Sequence, residues 1–241
     1  MTKDLSWGPS TEAFLNRITL WISEVSRYPG FNDWQKKRFS RILMWGEVSY
    51  DTGTNFEFDA ETEKKQDFSL AYMELIRSAL SIQSVEYYFR RYPFRDLPVS
   101  HDEHLSNICE LLFSRIYQFR EKLKKTLNLA NQIKPNIIDV GPIIKWFDRT
   151  FREEISERNQ THHHTRYQDI EIEKISLMHL MAIAKRDNGW SEEMRHEYRK
   201  ACRTWTSRVR ARSKIIFQVI DVLSKHLDEN ADFLPSLSKA T

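Results

Sequence analysis

The stretch from Ser100 to Pro135 reads SHDEHLSNICELLFSRIYQFREKLKKTLNLANQIKP. Leu105, Ile108, Leu112, Ile116, Phe119 and Leu123 recur at three- and four-residue intervals, the period of a helix with one buried face. Ser100 followed three residues later by Glu103 has the form of a capping box, which satisfies the first free amides of a helix. The pattern runs to about Gln132, and Pro135 closes it, because proline has no amide hydrogen to continue the ladder. A single helix of this length needs equally long partners to cover its apolar face. The whole chain supplies only 6 Gly and 7 Pro in 241 residues, so turns are scarce and elements are long. An all-α fold follows.

The partners can be read on either side. One helix is expected from Asp59 to Arg91, with Phe68, Tyr72, Leu75, Ile76, Ala79, Leu80, Ile82 and Val85 on its apolar face and Pro93 after it. Another starts near Gly141, with Pro142 in its first turn, and Ile143, Ile144, Trp146, Phe147, Phe151 and Ile155 carry it to about Arg158. Asp169 to Lys185 reads as a further helix. The last starts at Ser191, with Glu192 and Glu193 against the positive end of its dipole, and runs to about Leu227. The simplest packing of the four long helices is an up-and-down antiparallel bundle. Residues 1–58 read as an accessory cap: a helix from Thr11 to Arg27 stopped by Pro29-Gly30, a shorter one from Asn32 to Leu43, and a short β-hairpin or ordered loop. In that last piece Val48, Tyr50, Phe56 and Phe58 alternate around Asp51-Thr52-Gly53-Thr54. The expected division is therefore cap 1–58, bundle 59–230 and flexible tail 231–241.

Composition narrows the function classes. The 37 Lys+Arg against 34 Asp+Glu leave a net charge of +3, and 40% hydrophobic with 29% charged residues suits a folded globular chain. No run approaches the roughly 18 apolar residues of a membrane span, and the N-terminus MTKDLSWGPS has no apolar signal core. Cys109 and Cys202 are the only cysteines; both fall in helical stretches and read as small buried hydrophobes, which fits a reducing cytoplasm. There is no Gly-rich phosphate loop, no nucleophile elbow and no Glu-x-x-His pair for a di-iron centre, and no cofactor is expected.

One polar stretch stands out: Glu154, Glu157, Arg158, Asn159, Gln160, Thr161, His162, His163, His164, Thr165 and Arg166. Within it, Arg158-Asn159-Gln160-Thr161-His162-His163 matches R-N-x-x-x-H. Composition alone gives a chance expectation of roughly 0.03 for such a match, so the motif carries information. This pattern is the signature of the HEPN superfamily, and the chain resembles HEPN domains from Asp59 to Leu227 in its long helices and in the late position of the motif. The stretches Tyr87-Tyr88-Phe89-Arg90, Ser100 to His104 and Tyr117 to Leu123 are similar to a bacterial stand-alone HEPN subgroup.

The resemblance implies a metal-independent endoribonuclease of toxin or phage-defence type, with RNA as substrate, a cognate antitoxin or activator, and a homodimer in which two motifs form one composite site. The residue types suit that chemistry. A histidine can take the proton of a 2′-hydroxyl near neutral pH, and a fixed guanidinium can meet the charge that builds on phosphoryl oxygens. These roles fall to His163 and Arg158, with Asn159 orienting the phosphate or the histidine; His162 and His164 are the alternatives in register. The helix from Arg195 to Lys214 adds a basic stripe, and Arg199, Arg203 and Arg210 are candidate RNA-backbone contacts. Plainer readings stand beside these. Arg158 and Asn159 could cap a helix C-terminus, the three histidines could hold a metal, and the stripe could be a solvated face paired with Glu153, Glu154 and Glu157. A HEPN-like module could also bind RNA, a nucleotide or a protein without catalysis. Trp146, Trp205, Phe147 and Tyr117 read as core.

Overall fold

The structure is a computed structural model that describes residues 6–32, 35–36, 57–90, 92–93, 98–163, 166–184 and 188–236, with the side chains of His162 and His163 outside that description. The chain is an all-α helical bundle, and among the described residues there is no strand. The helices are α1 (Pro9–Val25), α2 (Ala60–Gln83), α3 (Val85–Tyr88), α4 (His101–Ile133), α5 (Val140–Thr150), α6 (Arg152–His163), α7 (Ile170–Ala184) and α8 (Trp190–Asn230). No helix of the described residues is long and apolar enough to cross a membrane. Of the expected helix from Asn32 to Leu43, only Asn32, Gln35 and Lys36 are described, and all three are helical. The candidate hairpin lies, up to Phe56, outside the described residues. Phe58 packs its ring against Tyr28 and Phe31, at 5.8 and 5.7 Å.

Two of the expected long helices are divided. At Ser84 the second helix is interrupted, and the Ser81 carbonyl accepts hydrogen bonds from Ser84 Oγ and from Arg115 of α4. Side-chain donors to a helix carbonyl bend the ladder where no proline does. At Phe151 the expected helix 141–158 is split into α5 and α6. Phe151 leaves helical geometry (φ −110°, ψ 27°), and its ring is fully buried, stacked on Phe147 at 4.4 Å. Phe147 in turn stacks on Phe119 of α4 at 5.6 Å. Burying rings of this size is worth about 1.5–3 kcal/mol each, enough to hold one residue off its helical angles. Trp146, expected in the core, is 37% exposed, because the buried stripe of α5 runs through Ile144 and Phe147.

The chain forms two compact units, each discontinuous in sequence: residues 1–70, 128–138 and 219–241 in one, residues 71–127 and 139–218 in the other. In the first unit, α1 begins at Gly8, whose missing side chain leaves room for the Asp221 carboxylate. That carboxylate accepts from the Thr11 amide at 2.9 Å and its hydroxyl at 3.1 Å, acting as a cap supplied by α8. Arg17 is buried and spends its guanidinium on the end of α8 and the residues beyond. It reaches Asp228 O at 2.7 Å and Oδ1 at 3.0 Å, Leu234 O at 3.0 Å, Pro235 O at 2.8 Å, and the Ala231 carbonyl. Ala231 and Leu234 are buried, so residues 231–236 are an anchored segment where the sequence suggested a frayed tail.

The second unit centres on aromatic rings. Trp205 of α8 meets Phe89, Phe113 and Tyr167, with centroids about 6 Å apart. Cys109 and Cys202 are buried there, and burial pushes the Cys202 thiol up to about 11 and raises the Cys109 thiol well above its ordinary value, which disfavours the thiolate at both.

Candidate functional site

The motif lies on α6, whose sequence REEISERNQTHH has little apolar periodicity of its own. Charge holds it in place instead. Glu154 is completely buried, and its Oε1 accepts from Arg208 Nη2 at 2.9 Å and Arg212 Nε at 2.8 Å, both from α8. Glu153, largely exposed, adds a second carboxylate to the same two arginines at 3.2 and 3.7 Å. Arg208 lies over the Trp205 ring and Arg212 over Phe151. The two charges are thus neutralised and stacked at once, which is how a buried carboxylate becomes tolerable.

One turn further along α6 is Arg158, at i+4 from Glu154 and so on the same stripe. Its guanidinium lies over the ring of Tyr117 of α4, with Cζ 4.1 Å from the centroid, and Nη1 donates to Asn159 Oδ1 at 3.3 Å. Among the described residues no carboxylate lies within ion-pair distance of Arg158. Asn159 is exposed. The Thr161 hydroxyl donates back to the carbonyls of Glu157 and Arg158, at 3.0 and 3.1 Å, which leaves the last turn regular. The backbone stays helical through His163. In that register position 162 is i+4 from Arg158, about 40° round the helix axis, and position 163 is i+5, about 140° round. His164 lies outside the described residues.

Beyond the histidines the chain is pinned to the same helix, α4. Arg166 Nη2 donates to the Glu103 carbonyl at 2.9 Å and to Asn107 Oδ1 at 3.2 Å. Tyr167 donates its amide to Glu110 Oε1 at 2.8 Å and accepts from Ser106 Oγ at 2.8 Å. Described residues on both sides of the histidine tract are therefore fixed to α4, at Tyr117 and at Glu103 to Glu110. Sequence reading assigned Tyr117 to the core and so missed its part in holding Arg158.

The basic stripe of α8 divides into two kinds of residue. Arg208 and Arg212 are committed to Glu153 and Glu154. Arg210 is committed to Glu86 of α3 at 2.7 Å, and Glu86 also holds Arg90 at 2.5 Å. Burial raises the Glu86 carboxyl, but the two guanidinium groups outweigh it and hold the group below its ordinary value. Arg199 and Arg203 are exposed and carry no ion pair among the described residues. The sequence offered Glu153, Glu154 and Glu157 as partners of the stripe; Glu153 and Glu154 pair with Arg208 and Arg212, and Arg210 pairs with Glu86 instead.

A second polar cluster sits at the start of α4. His101 stacks on Tyr92 with centroids 3.8 Å apart, and His104 Nδ1 is 2.8 Å from the Tyr198 hydroxyl. Burial, reinforced by the nearby charges of His179, His104 and Arg195, pushes His101 down to about 4; burial alone lowers His104. Both histidines pack as rings against Tyr92. No protein-family model, curated protein or solved structure matches the chain.

Proposed function

We propose that the chain is a HEPN-type, metal-independent endoribonuclease that uses Arg158, Asn159 and a histidine of the 162–164 tract. One observation carries this reading. Arg158 is oriented by Tyr117 and Asn159 but has no carboxylate partner among the described residues, so its positive charge remains available to an anion beside the histidines. A purely structural arginine in this unit looks different, as Arg208 and Arg212 do. The C-cap alternative is weakened as well, because α6 continues for five residues past Arg158.

In the proposed reaction a histidine takes the proton of a ribose 2′-hydroxyl, and the 2′-oxygen attacks the adjacent phosphorus. The bond to the 5′-oxygen breaks, and that oxygen leaves as a hydroxyl after taking up a proton. The product ends are a 2′,3′-cyclic phosphate and a 5′-hydroxyl. Arg158 offsets the charge that builds on the phosphoryl oxygens, in the place where a fixed cation is worth most. Asn159 holds the Arg158 side chain or the phosphate. His163 is the histidine favoured by the motif. His162, in i+4 register with Arg158, is favoured by the helix, and single substitutions separate the two.

A homodimer with a composite site fits a second feature. The helix that follows the motif, α7, exposes Ile170 (82%), Leu177 (61%), Leu180 (59%) and Ile183 (68%). A face of this kind is unusual on a monomer and suits a second copy of the chain. A toxin or phage-defence role, with an antitoxin or activator as partner, belongs to the same proposal.

The test is cleavage of RNA by the purified chain in EDTA, with Arg158→Ala, His162→Ala and His163→Ala beside it. Loss of cleavage in Arg158→Ala and in one histidine variant, with cyclic-phosphate ends on the wild-type product, is the expected result. Intact RNA with folded, dimeric wild type would overturn the reading in favour of a non-catalytic binding module.

A further inference from the structure

The helix that leads into the motif, α5, has two faces of different kinds. Ile144 and Phe147 are buried, and the Phe147 ring stacks on Phe119 and on Phe151. Trp146 is one position earlier, about 100° round the helix axis, and so leaves that face. It is 37% exposed and makes no hydrogen bond, ring contact or cation contact among the described residues. Cations flank it along the helix. Lys145 precedes it, and Arg149 follows at i+3, where Cβ atoms on one helix surface are about 5–6 Å apart. Arg152, three residues beyond Arg149, opens α6. All three are exposed, and none has an ion pair among the described residues. The acids of the same stretch of sequence are committed elsewhere. Asp139 accepts from the Gly141 amide at the start of α5, and Glu153 pairs with Arg208 and Arg212. Asp148 pairs with Arg120 of α4 at 2.8 Å, and its position is about 160° round the axis from Trp146. Trp205 shows the opposite arrangement: it is buried, and the arginine over its ring is held by Glu153 and Glu154.

We propose that Trp146, with Lys145, Arg149 and Arg152, forms a contact patch for single-stranded RNA. An unpaired base stacks on the open indole, and the cations, four and three residues apart along the chain, meet phosphates. Unpaired cations call for a polyanion, and the flat ring beside them calls for one that carries planar groups. A single-stranded nucleic acid combines the two, whereas an acidic polypeptide supplies the charge alone. The choice of RNA rests on the nuclease reading; the patch itself uses no residue of the Arg158 site.

The test uses a fluorescein-labelled, fully 2′-O-methylated single strand of mixed sequence, which cannot be cleaved by 2′-hydroxyl attack, and reads anisotropy against the full chain. Trp146→Leu keeps an apolar side chain for packing but has no flat face. It should weaken binding at least about fivefold and leave the salt dependence unchanged, because stacking releases no counterions. Trp146→Phe should recover most of the lost affinity. Lys145→Gln with Arg149→Gln should weaken binding and lower the slope of log K against log salt by about 1.4, the share of two phosphate contacts on a single strand. Arg158→Ala should bind the probe normally. Wild type that does not bind the probe would overturn the proposal. So would a Trp146→Leu variant that binds undiminished, a salt slope unchanged in the double glutamine variant, or polyglutamate binding that is equally sensitive to Trp146→Leu, which would assign the patch to an acidic protein. A chain that cleaves RNA while probe binding ignores Trp146 would remove the patch and keep the nuclease; one that binds through Trp146 but leaves RNA intact would do the reverse.

Discussion

Arg17 of α1 and Arg158 of α6 are the same residue put to opposite uses. Arg17 is buried and gives all three of its nitrogens to acceptors from Asp228, Ala231, Leu234 and Pro235. Its cation is consumed in joining two distant pieces of sequence. Arg158 is half-buried and is held by a ring and a neighbouring amide, neither of which cancels its charge. An arginine whose hydrogen bonds are saturated fixes structure. One that is oriented yet unpaired keeps most of its electrostatic interaction for a ligand.

The contrast can be broken in order of expected effect. Arg17→Met removes the donor from at least two buried carbonyls and should cost about 3–5 kcal/mol, read as a lower urea midpoint with unchanged slope. An unchanged midpoint would mean that Arg17 is as dispensable to the fold as Arg158.

The next effect is on pH. His101 titrates near 4 in the folded chain and near 6.5 when unfolded, so the unfolded state binds more protons between those values. Its contribution is complete above pH 6.5 and is lost as pH falls towards 4, by on the order of 2 kcal/mol. The groups that face it are His104, His179, Arg195 and Asp102. His101→Phe, which keeps a ring against Tyr92, should flatten the stability profile between pH 6.5 and 4. A profile identical to wild type would assign that slope to other groups.

The smallest effect is on the other side of the comparison. Arg158→Ala loses a cation–π contact and should change stability by less than about 1 kcal/mol, measured by the same denaturation. A large loss would make Arg158 a structural residue like Arg17 and remove the basis of the nuclease reading.

Much of this architecture could be read from the sequence. The helical period from Leu105 to Leu123 marks α4, and the Ser100 hydroxyl accepts from the Glu103 amide as the capping pattern implies. The end marked by Pro135 is close to its observed place, with α4 ending at Ile133. The breaks at Ser84 and Phe151 were not legible. No Gly or Pro marks them, and both depend on contacts distant in sequence, a donor from Arg115 and a stack of Phe119, Phe147 and Phe151. The candidate site divides in the same way. Motif spacing picks out Arg158, Asn159 and the histidines, but the features that make Arg158 distinctive are its tertiary neighbours. Tyr117 is forty-one residues away, and the arginines that hold Glu154 are more than fifty residues away. Single-residue patterns do not encode such pairings.

The Arg17 clamp also sets a timetable for synthesis. α1 leaves the ribosome well before the residues it depends on: the acceptors for its arginine reach as far as Pro235, and its helix cap comes from Asp221. Until those residues have been translated and have cleared the exit tunnel, the first unit lacks the partners that neutralise its buried cation. The nascent chain therefore cannot finish this unit as it emerges, and the last step of folding follows the synthesis of residue 235. A product stopped short of that point leaves Arg17 uncompensated and presents itself to cellular proteases as an incomplete fold.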